Sequence, residues 1–247
     1  MKKINVLAAT ALVAAGTVFT SCDSKKSAKL TSSVDSASYA IGLVIGSNYR
    51  MGMQDAPGEP LNIDILTAAF EQALKNDSAA FKMTAENAGM YVQQYFREAE
   101  MKEAQKTKAE GDKFLAENKT KNGVITTESG LQYQVIKEGE GPKPAATDKV
   151  KVHYKGTLLD GTEFDSSYGP DGNGKPVDIQ LGPGRVIEGW NEGLQIMPVG
   201  SKYIFWIPAE LGYGDRTRPG MKANSTLKFE VELVEIVKED PAAAPKK

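Results

Sequence analysis

The feature that most constrains this fold is a change of periodicity at residues 118–122. Before this point apolar residues recur at helical intervals, and after it short apolar runs are separated by turns. The pattern from Asp35 to Asn118 therefore predicts helices, and the pattern from Gly123 to Lys238 predicts strands. The chain is expected to be α+β, with an all-helical N-terminal domain followed by a domain built mainly of strands.

The first predicted helix begins at Asp35, with Asp35 or Ser36 as its N-cap. Gly42 and Gly46 lie on one stripe of this helix, because residues four apart share a face. Glycine at that spacing lets two helix backbones approach closely. The neighbour can be a second copy of the chain, which predicts a homodimer, or another helix of the same chain, and the sequence leaves both open.

Two more helices follow, each with an apolar stripe. Asn62–Lys75 is predicted to be amphipathic, and Thr84 is expected to cap a helix whose stripe continues to Ala99. The next segment, Glu100–Lys113, is dominated by Glu and Lys and predicts a solvated helix or stalk that holds two bodies apart. Gly111 is expected to be a weak point, because glycine inside a helix costs up to about 1 kcal/mol relative to alanine.

Short strands are predicted in the second half, with turns such as Asp160-Gly161 whose residues tolerate positive φ. The predicted strands are Leu131–Glu138, Val150–Leu158, Val177–Gln180, Tyr203–Ile207 and Leu227–Val237. A short helix is expected at Glu188–Gln195. Residues 239–247 form a polar tail rich in alanine and proline, which has nothing to bury.

The N-terminus has the features of a secretory signal. Lys2-Lys3 precede an apolar run, Val6–Phe19, that is too short to span a bilayer. Cys22 stands at the expected cleavage point, which resembles a bacterial lipobox and implies that residues 1–22 are a signal ending at a lipidated cysteine. The alternative is a soluble secreted protein in which the cysteine is incidental. Residues 23–34 are predicted to be a polar tether.

Composition excludes several classes of function. The chain has 247 residues and a formal net charge of −2, so it carries no basic footprint for nucleic acid. His153 is its single histidine and Cys22 its single cysteine, which leaves no ligand set for zinc or iron and no Cys-His pair for nucleophilic catalysis. Neither a metal nor a cofactor is expected.

A series of motifs in the second half carries a family resemblance. In chain order they are V-x-Y-x-G from Val152, D-G-x-x-F-D-S-S from Asp160, V-I-x-G-W from Val186, Y-G from Tyr213 and S-T-L-x-F-x-V-E-L from Ser225. The set resembles the FKBP-type peptidyl-prolyl cis-trans isomerases. The helical half with its charged connector resembles the dimerising N-terminal region of Mip-like FKBP lipoproteins.

The resemblance implies an FKBP-like antiparallel half-barrel sheet, residues 119–238, wrapped over the short helix. A helical dimerisation domain with a long connecting helix, residues 35–118, would precede it. The implied protein lies in the bacterial cell envelope, lipid-anchored at the periplasmic side of the outer membrane or at the cell surface.

The resemblance also implies a substrate pocket. Trp190 would form its floor, and Asp165, Tyr213 and the amide of Ile187 would hold or polarise the twisting amide of a substrate. Its walls and flap would be Tyr154, Phe164, Val177, Val186, Met221 and Phe229. Taken singly, aromatic residues of this kind belong to an ordinary core more often than to a site, and only their joint spacing with Asp165 and Tyr213 favours a pocket.

Val177 and Met221-Lys222 depart from the family pattern. The family has a bulky aromatic residue at the first position and Ile-Pro at the second, so a shallower wall and a softer flap are expected. Arg216 and Arg218 add positive charge beside the mouth of the pocket, which alone is typical of solvated surface. His153 is out of phase with Tyr154 on its strand and is expected to be structural.

Rotation about an X-Pro bond breaks no covalent bond, so the implied isomerase needs no nucleophile. The twisted amide is less polar than the planar one, and a dry cavity therefore favours it. The implied substrates are unfolded or partly folded exported polypeptides that contain proline. The alternatives are a proline-recognising chaperone or binding module with little turnover, and a purely structural lipoprotein.

Overall fold

The structure is a computed structural model that describes residues 28–54, 56–169 and 174–237. The predicted signal, Cys22, the N-terminal part of the tether and the C-terminal tail lie outside the described residues. The chain divides into two compact units between residues 55 and 56, and each unit is described here by itself.

In the first unit, the described residues 28–54 contain one helix, α1, which spans Ser33–Gly52. Its N-cap is Ser32, whose side chain accepts a hydrogen bond from the Asp35 amide while the Asp35 carboxylate accepts one from the Ser32 amide. The prediction of Asp35 or Ser36 as the cap is wrong, because Asp35 is the third residue of a capping box instead. No residue of α1 is buried, and a Cβ atom built at Gly42 or Gly46 would meet nothing within 4 Å.

The second unit begins with two helices whose caps agree with the sequence. Helix α2 spans Ile63–Leu74, and the Asn62 side chain accepts hydrogen bonds from the first turn. A short 3₁₀ turn, Ser78–Ala80, leads to α3, which spans Ala85–Asn118 and is capped by Thr84. Because a helix rises 1.5 Å per residue, α3 is about 50 Å long.

The C-terminal part of α3 is helical as predicted, but it is not fully solvated. Gly111 and Asn118 are buried, and Asn118 donates a hydrogen bond of 3.0 Å to Gln132. Gly111 lies against Thr226 so closely that a Cβ atom there would overlap the threonine hydroxyl. The glycine predicted as a weak point of the helix is therefore a packing contact with the strand-rich domain.

Seven strands follow, and they form one sheet in which every pairing is antiparallel. They are β1 (Val124–Thr126), β2 (Gln132–Lys137), β3 (Lys149–Thr157), β4 (Glu163–Ser166), β5 (Val177–Gln180), β6 (Lys202–Ile207) and β7 (Leu227–Val237). The order across the sheet is β1-β2-β6-β7-β3-β4, with β5 also paired to β3. The α+β class and the long antiparallel sheet are confirmed. Two short strands, β1 and β4, were not predicted.

The core lies between this sheet and helix α4, which spans Glu188–Ile196. Two glycines of α4 let the helix approach β6: a Cβ atom at Gly193 would lie 2.8 Å from the Phe205 ring, and one at Gly189 would lie 2.5 Å from Ile207. The N-terminus of α4 is thereby held over the sheet, which fixes the position of the residues that precede and open it.

None of the helices in the described ranges combines the length and hydropathy that crossing a bilayer requires.

Candidate active site

Trp190 lies in the first turn of α4 and is only 6% exposed. Two rings stand almost perpendicular to its indole: Tyr154 of β3, with centroids 5.0 Å apart, and Phe229 of β7, with centroids 5.1 Å apart. Edge-to-face packing of this kind is favourable beyond the apolar area that it buries. The three rings form a fixed aromatic floor because each belongs to a different element of the core.

A cavity of about 690 Å³ opens above this floor. Seven of the residues proposed from the sequence line it: Tyr154, Asp165, Val186, Ile187, Trp190, Tyr213 and Phe229. Its volume lies in the range of ordinary small-molecule and peptide side-chain pockets. The cavity therefore has room for a proline ring and the residues beside it.

Three other residues proposed for the walls and flap do not line the cavity. Phe164 supports it from behind, packing edge-on against Phe229 with centroids 5.4 Å apart. Val177 pairs with Val152 in the ladder between β5 and β3. Met221 is 5% exposed and packs in the core. Their roles in binding a substrate stay predictions, and any such role would act through the cavity residues that they support.

Asp165 is the acidic residue of the cavity that packs directly beside the aromatic floor, through its hydrogen bond to Tyr154. It lies on β4 and accepts a hydrogen bond of 2.9 Å from the Tyr154 hydroxyl. Burial raises the pKa of Tyr154, and the Asp165 carboxylate raises it further, so this phenol keeps its proton. The pair therefore presents a carboxylate that is already oriented by a neutral phenol, with one side free to face a ligand.

Ile187 is the N-cap residue of α4. Its carbonyl accepts hydrogen bonds from the Trp190 and Asn191 amides, whereas its own amide makes no hydrogen bond to any of the described residues. Amides at a helix N-terminus lack partners within the helix and are donors for an incoming acceptor. An unused donor thus stands at the wall of the cavity, beside the aromatic floor.

Tyr213 lies on the loop between β6 and β7, which we call the rim loop (residues 208–226). The Arg218 guanidinium covers its ring, 3.9 Å from the centroid. Arg218 is held in turn by two backbone hydrogen bonds to Met221, of 2.9 and 3.0 Å, across the Pro219-Gly220 turn. A cation so placed is attracted by the ring quadrupole, so it stabilises the orientation of Tyr213 at the mouth of the cavity.

The contacts of His153 are typical of a structural residue, which is what the sequence predicts. Its Nδ1 lies 3.1 Å from the Ser167 hydroxyl, and its ring stacks on Tyr168 with centroids 4.7 Å apart. It does not line the cavity. Within the ranges that the structure describes, no cluster of His, Cys, Asp and Glu side chains has the arrangement of a metal site.

Comparison with known proteins gives the family. The profile of the FKBP-type peptidyl-prolyl cis-trans isomerases matches residues 141–234, and the profile of the domain amino terminal to such isomerases matches residues 34–135. The FKBP-type isomerase FkpA of Aeromonas hydrophila is 43% identical over 220 residues, which cover 85% of this chain and 78% of that protein. The chain belongs to the FKBP-type peptidyl-prolyl cis-trans isomerase family.

Other relatives agree with this assignment. The FKBP-type 22 kDa isomerase of Escherichia coli is 41% identical over 81% of this chain and 94% of its own length. The outer membrane protein MIP of Legionella longbeachae is 38% identical over 85% of this chain and 88% of its own length. The crystal structure of FkpA from Escherichia coli matches with a TM-score of 0.69 and 32% identity, over 86% of this chain and 100% of that one. The predicted family, FKBP-like fold and enzyme class are confirmed.

This FKBP-type cavity also contains residues that were not proposed from the sequence. They are Ile179, Gly184, Arg185, Glu188, Glu210, Gly212, Gly214 and Asp215, and they join Arg216 and Arg218 at the mouth. Ile179 had a usable signal, because it lies two residues after Val177 and alternate residues of a strand share a face. Glu188 opens α4 and Glu210 lies in a single 3₁₀ turn, and the rest come from loops. Such short or irregular segments have no periodicity that indicates which side chain faces a cavity.

Proposed function

We propose that this FKBP-type chain accelerates rotation about X-Pro bonds by binding the proline in the dry aromatic cavity, without any covalent step. The observation that carries the proposal is the perpendicular packing of Tyr154 and Phe229 on Trp190 beneath an open cavity. A planar X-Pro amide is polar and well hydrated, whereas the twisted amide has lost its resonance. Transfer to an apolar cavity therefore favours the twisted form over the planar one.

The amount of stabilisation required is within reach of such a site. An acceleration of about 10⁵-fold requires about 6.8 kcal/mol of differential binding. Desolvation by the aromatic floor supplies part of this differential binding free energy, and that part does not depend on the orientation of any hydrogen bond. The Ile187 amide, the Asp165 carboxylate and the Tyr213 hydroxyl supply directed interactions, and an aimed donor in a dry site is worth about 3 kcal/mol.

The three polar groups have different roles in this mechanism. The Ile187 amide holds a carbonyl of the substrate, which anchors the chain beside the floor. The Tyr213 hydroxyl donates to the twisting amide as its nitrogen becomes pyramidal, and the Asp165 carboxylate orients the amide beside it. Asp165 suits this role because Tyr154 already fixes its orientation through a hydrogen bond of 2.9 Å.

The test is an isomerisation assay on a proline peptide with the variants Trp190→Leu and Asp165→Val. Each is expected to lower kcat/KM by at least about tenfold, or 1.4 kcal/mol in activation free energy. Trp206→Leu is the matched control: Trp206 is 8% exposed but does not line the cavity. Rates that are equal in the wild type, Trp190→Leu and Asp165→Val would remove the proposed mechanism.

A second candidate function is a chaperone that binds unfolded clients. The exposed apolar residues of α1 and α2 favour it, since these helices bury none of their residues. The two functions separate in one comparison: Trp190→Leu would abolish isomerisation but leave the suppression of client aggregation unchanged. If aggregation suppression is absent in the wild type, the chaperone function is excluded.

We propose that the same apolar residues form a homodimer. Ile41, Leu43 and Ile45 of α1 are 60%, 58% and 46% exposed, and the glycine stripe of Gly42 and Gly46 lies among them. A second copy of the chain would cover the residues that a single copy leaves in water. The mass in solution, measured by sedimentation at micromolar concentration, tests this directly.

The substrates proposed are exported polypeptides, because the N-terminal sequence resembles a lipoprotein signal and one relative is an outer membrane protein by name. In this proposal Cys22 carries the lipid that anchors the enzyme in the cell envelope. Cys22→Ala is expected to release the protein from the membrane fraction, and a Cys22→Ala protein that remains in that fraction would contradict the anchor.

A further inference from the structure

The rim loop carries much of the polar mouth of the cavity. Tyr213, Arg216 and Arg218 belong to it, and all three line the cavity. Internal hydrogen bonds shape the loop: the Gly214 amide donates to the Ala209 carbonyl at 2.9 Å, and the Asn224 amide donates to the Gly214 carbonyl at 2.8 Å. These bonds fix the curve of the loop but do not tie it to the rest of the domain.

Met221 and Leu211 of the loop pack in the core of the domain, and helix α3 adds a second tie along one of its faces. Three positions on this face, 104, 108 and 111, have the i, i+4, i+7 spacing of residues that lie one above another. The Ala104 carbonyl accepts a hydrogen bond of 3.3 Å from the Asn224 side chain, and Lys108 pairs with Glu210 at 2.5 Å. The face therefore follows the rim loop over two helical turns.

Two further contacts complete this interface. Glu103, next to Ala104, pairs with Lys222 at 2.7 Å. Gly111 lies against Thr226, at the point where the rim loop enters β7. Glu210 is itself a lining residue of the cavity, so the pair with Lys108 connects the helix to the site through a single side chain.

Gly111 is the most informative of these residues. Glycine is a poor helix former, and its presence in the middle of a long helix suggests a reason other than helix stability. The structure offers such a reason: a Cβ atom at 111 would overlap the Thr226 hydroxyl, so that either the threonine side chain or the helix would have to shift. Gly89 of the same helix has no such neighbour, since a Cβ atom there would meet nothing within 4 Å.

We propose that residues 103–111 of α3 are a positioning element of the substrate site, which holds the rim loop so that Tyr213 and Arg218 face the bound proline peptide. Glu103, Lys108 and Gly111 are positioning residues, because they act on the substrate through the loop and do not line the cavity themselves. The inference rests on the proposed function of the cavity and extends its machinery from the strand-rich domain to the connecting helix.

The decisive variant is Gly111→Ala in the full chain. Alanine favours the helix, so a merely structural change would leave turnover intact. The proposal expects kcat/KM for a proline peptide to fall by about tenfold, because a displaced loop misplaces the groups that orient the substrate. Adding Thr226→Ala removes the overlapping hydroxyl and is expected to restore the rate to within about twofold, with Thr226→Ala alone completing the cycle. Gly89→Ala is the matched control and should behave as the wild type.

Amide hydrogen exchange of residues 212–224 provides a readout that does not need turnover. Exchange there should be faster in Gly111→Ala and return to the wild-type rate in the double variant, while the β3 and β7 amides stay protected in all of them. If the wild type lacks isomerase activity, the proposed function fails, and the exchange comparison still decides whether α3 holds the loop.

The proposal is overturned if Gly111→Ala matches Gly89→Ala in both rate and exchange. It is also overturned if the double variant Gly111→Ala with Thr226→Ala turns over as slowly as Gly111→Ala alone. Should Gly111→Ala fail to fold, the charge exchange Glu103→Lys with Lys222→Glu decides in its place. Each single change should then speed exchange in the rim loop by about threefold, and the pair should reverse it. Exchanging the charges of Lys149 and Asp178, a pair of 2.6 Å on the sheet, is the control and should leave the rim loop unaffected.

Discussion

Apolar side chains are exposed in helices α1 and α2 and buried in the strand-rich domain. In the domain, side chains such as Phe205, Leu227 and Leu233 are at most 1% exposed and belong to one continuous core. In α1 and α2 no residue is buried, although both helices are capped and carry apolar stripes. The domain thus buries its apolar core within a single chain. Helices α1 and α2 present apolar surface that is removed from water only if a partner covers it.

This contrast separates two sources of stability. The caps of α1 and α2 satisfy the first amides of each helix, so they favour helix formation without any tertiary contact. Short helices are nevertheless marginal in water when their apolar face packs on nothing. The sequences of α1 and α2 therefore specify local structure, while the sequence of the domain specifies both local structure and a packed core.

The largest expected effect is on the core of the domain. Phe205→Ala should lower the free energy of unfolding by about 3–5 kcal/mol, because it leaves a cavity that the sheet and α4 cannot close. Leu43→Ala, at a residue 58% exposed, should change the unfolding of the domain by less than about 0.5 kcal/mol. Urea unfolding followed by Trp fluorescence measures both, and similar losses for the two variants would contradict the contrast.

The next effect is on association. Ile41→Glu combined with Ile45→Glu should weaken the dimer by about a hundredfold, or 2.7 kcal/mol, because it places charges in an apolar interface. The domain should unfold at the same urea concentration as before. Sedimentation equilibrium of the variant against wild type checks the first expectation, and an unchanged dissociation constant would place the dimer contact elsewhere.

A pH-dependent effect follows from Tyr203, which donates a hydrogen bond of 2.7 Å to Glu138. Burial raises the pKa of Tyr203, and the Glu138 carboxylate raises it further. The stabilisation is therefore fully present below the ordinary tyrosine pKa of about 10 and is lost as the pH rises above it, since the unfolded chain ionises first. Tyr203→Phe should cost about 1–2 kcal/mol at pH 7.

The difference between wild type and Tyr203→Phe should then shrink from pH 10 upward. Chemical unfolding at several pH values between 7 and 11 measures it. A difference that grows with pH in this range would show that the phenol is not held in its protonated form.

The smallest expected effect is on helix α2. Asn62→Ala removes two hydrogen bonds of 3.1 Å at the start of α2 and should destabilise this helix by about 1 kcal/mol. Turnover of a short proline peptide should not change, because α2 contributes no residue to the cavity. A loss of helical circular dichroism with constant kcat/KM is the expected result, and a parallel loss of activity would show that the two regions are coupled more strongly than their packing indicates.

The sequence was most informative where apolar periodicity determines the structure. The bounds of Val177–Gln180 and Leu227–Val237 agree with β5 and β7, and Thr84 caps the helix that it was predicted to cap. Strands β1 and β4 were missed because β1 has only three residues and β4 a single apolar one, so neither shows a period of two, whereas β5 alternates Val177 and Ile179 with polar residues. Seven site residues came from motif order, which indicates the set of residues at a pocket without fixing their geometry.

The interface of α3 was missed for a different reason. Its contacts use Gly111, the backbone of Ala104 and the charged ends of Glu103 and Lys108, none of which contributes to an apolar stripe. A pattern of hydrophobic residues cannot distinguish a solvated face from a face that packs through glycine and ion pairs. These residues contact the rim loop only because the loop lies opposite the helix. That position depends on the whole sheet.

Among the strands that the structure describes, β7 comes last along the chain but lies in the middle of the sheet. Strand β7 pairs with β6 on one side and with β3 on the other, so two groups of strands are joined only by residues 227–237. On a ribosome, the domain cannot close its sheet until this final segment has left the exit tunnel. The helices encoded first rely on local contacts and can form earlier, because contacts close in sequence are quick to make. A chain ending before residue 227 would lose the join itself, so the sheet of this isomerase closes only after residues 227–237 have been translated.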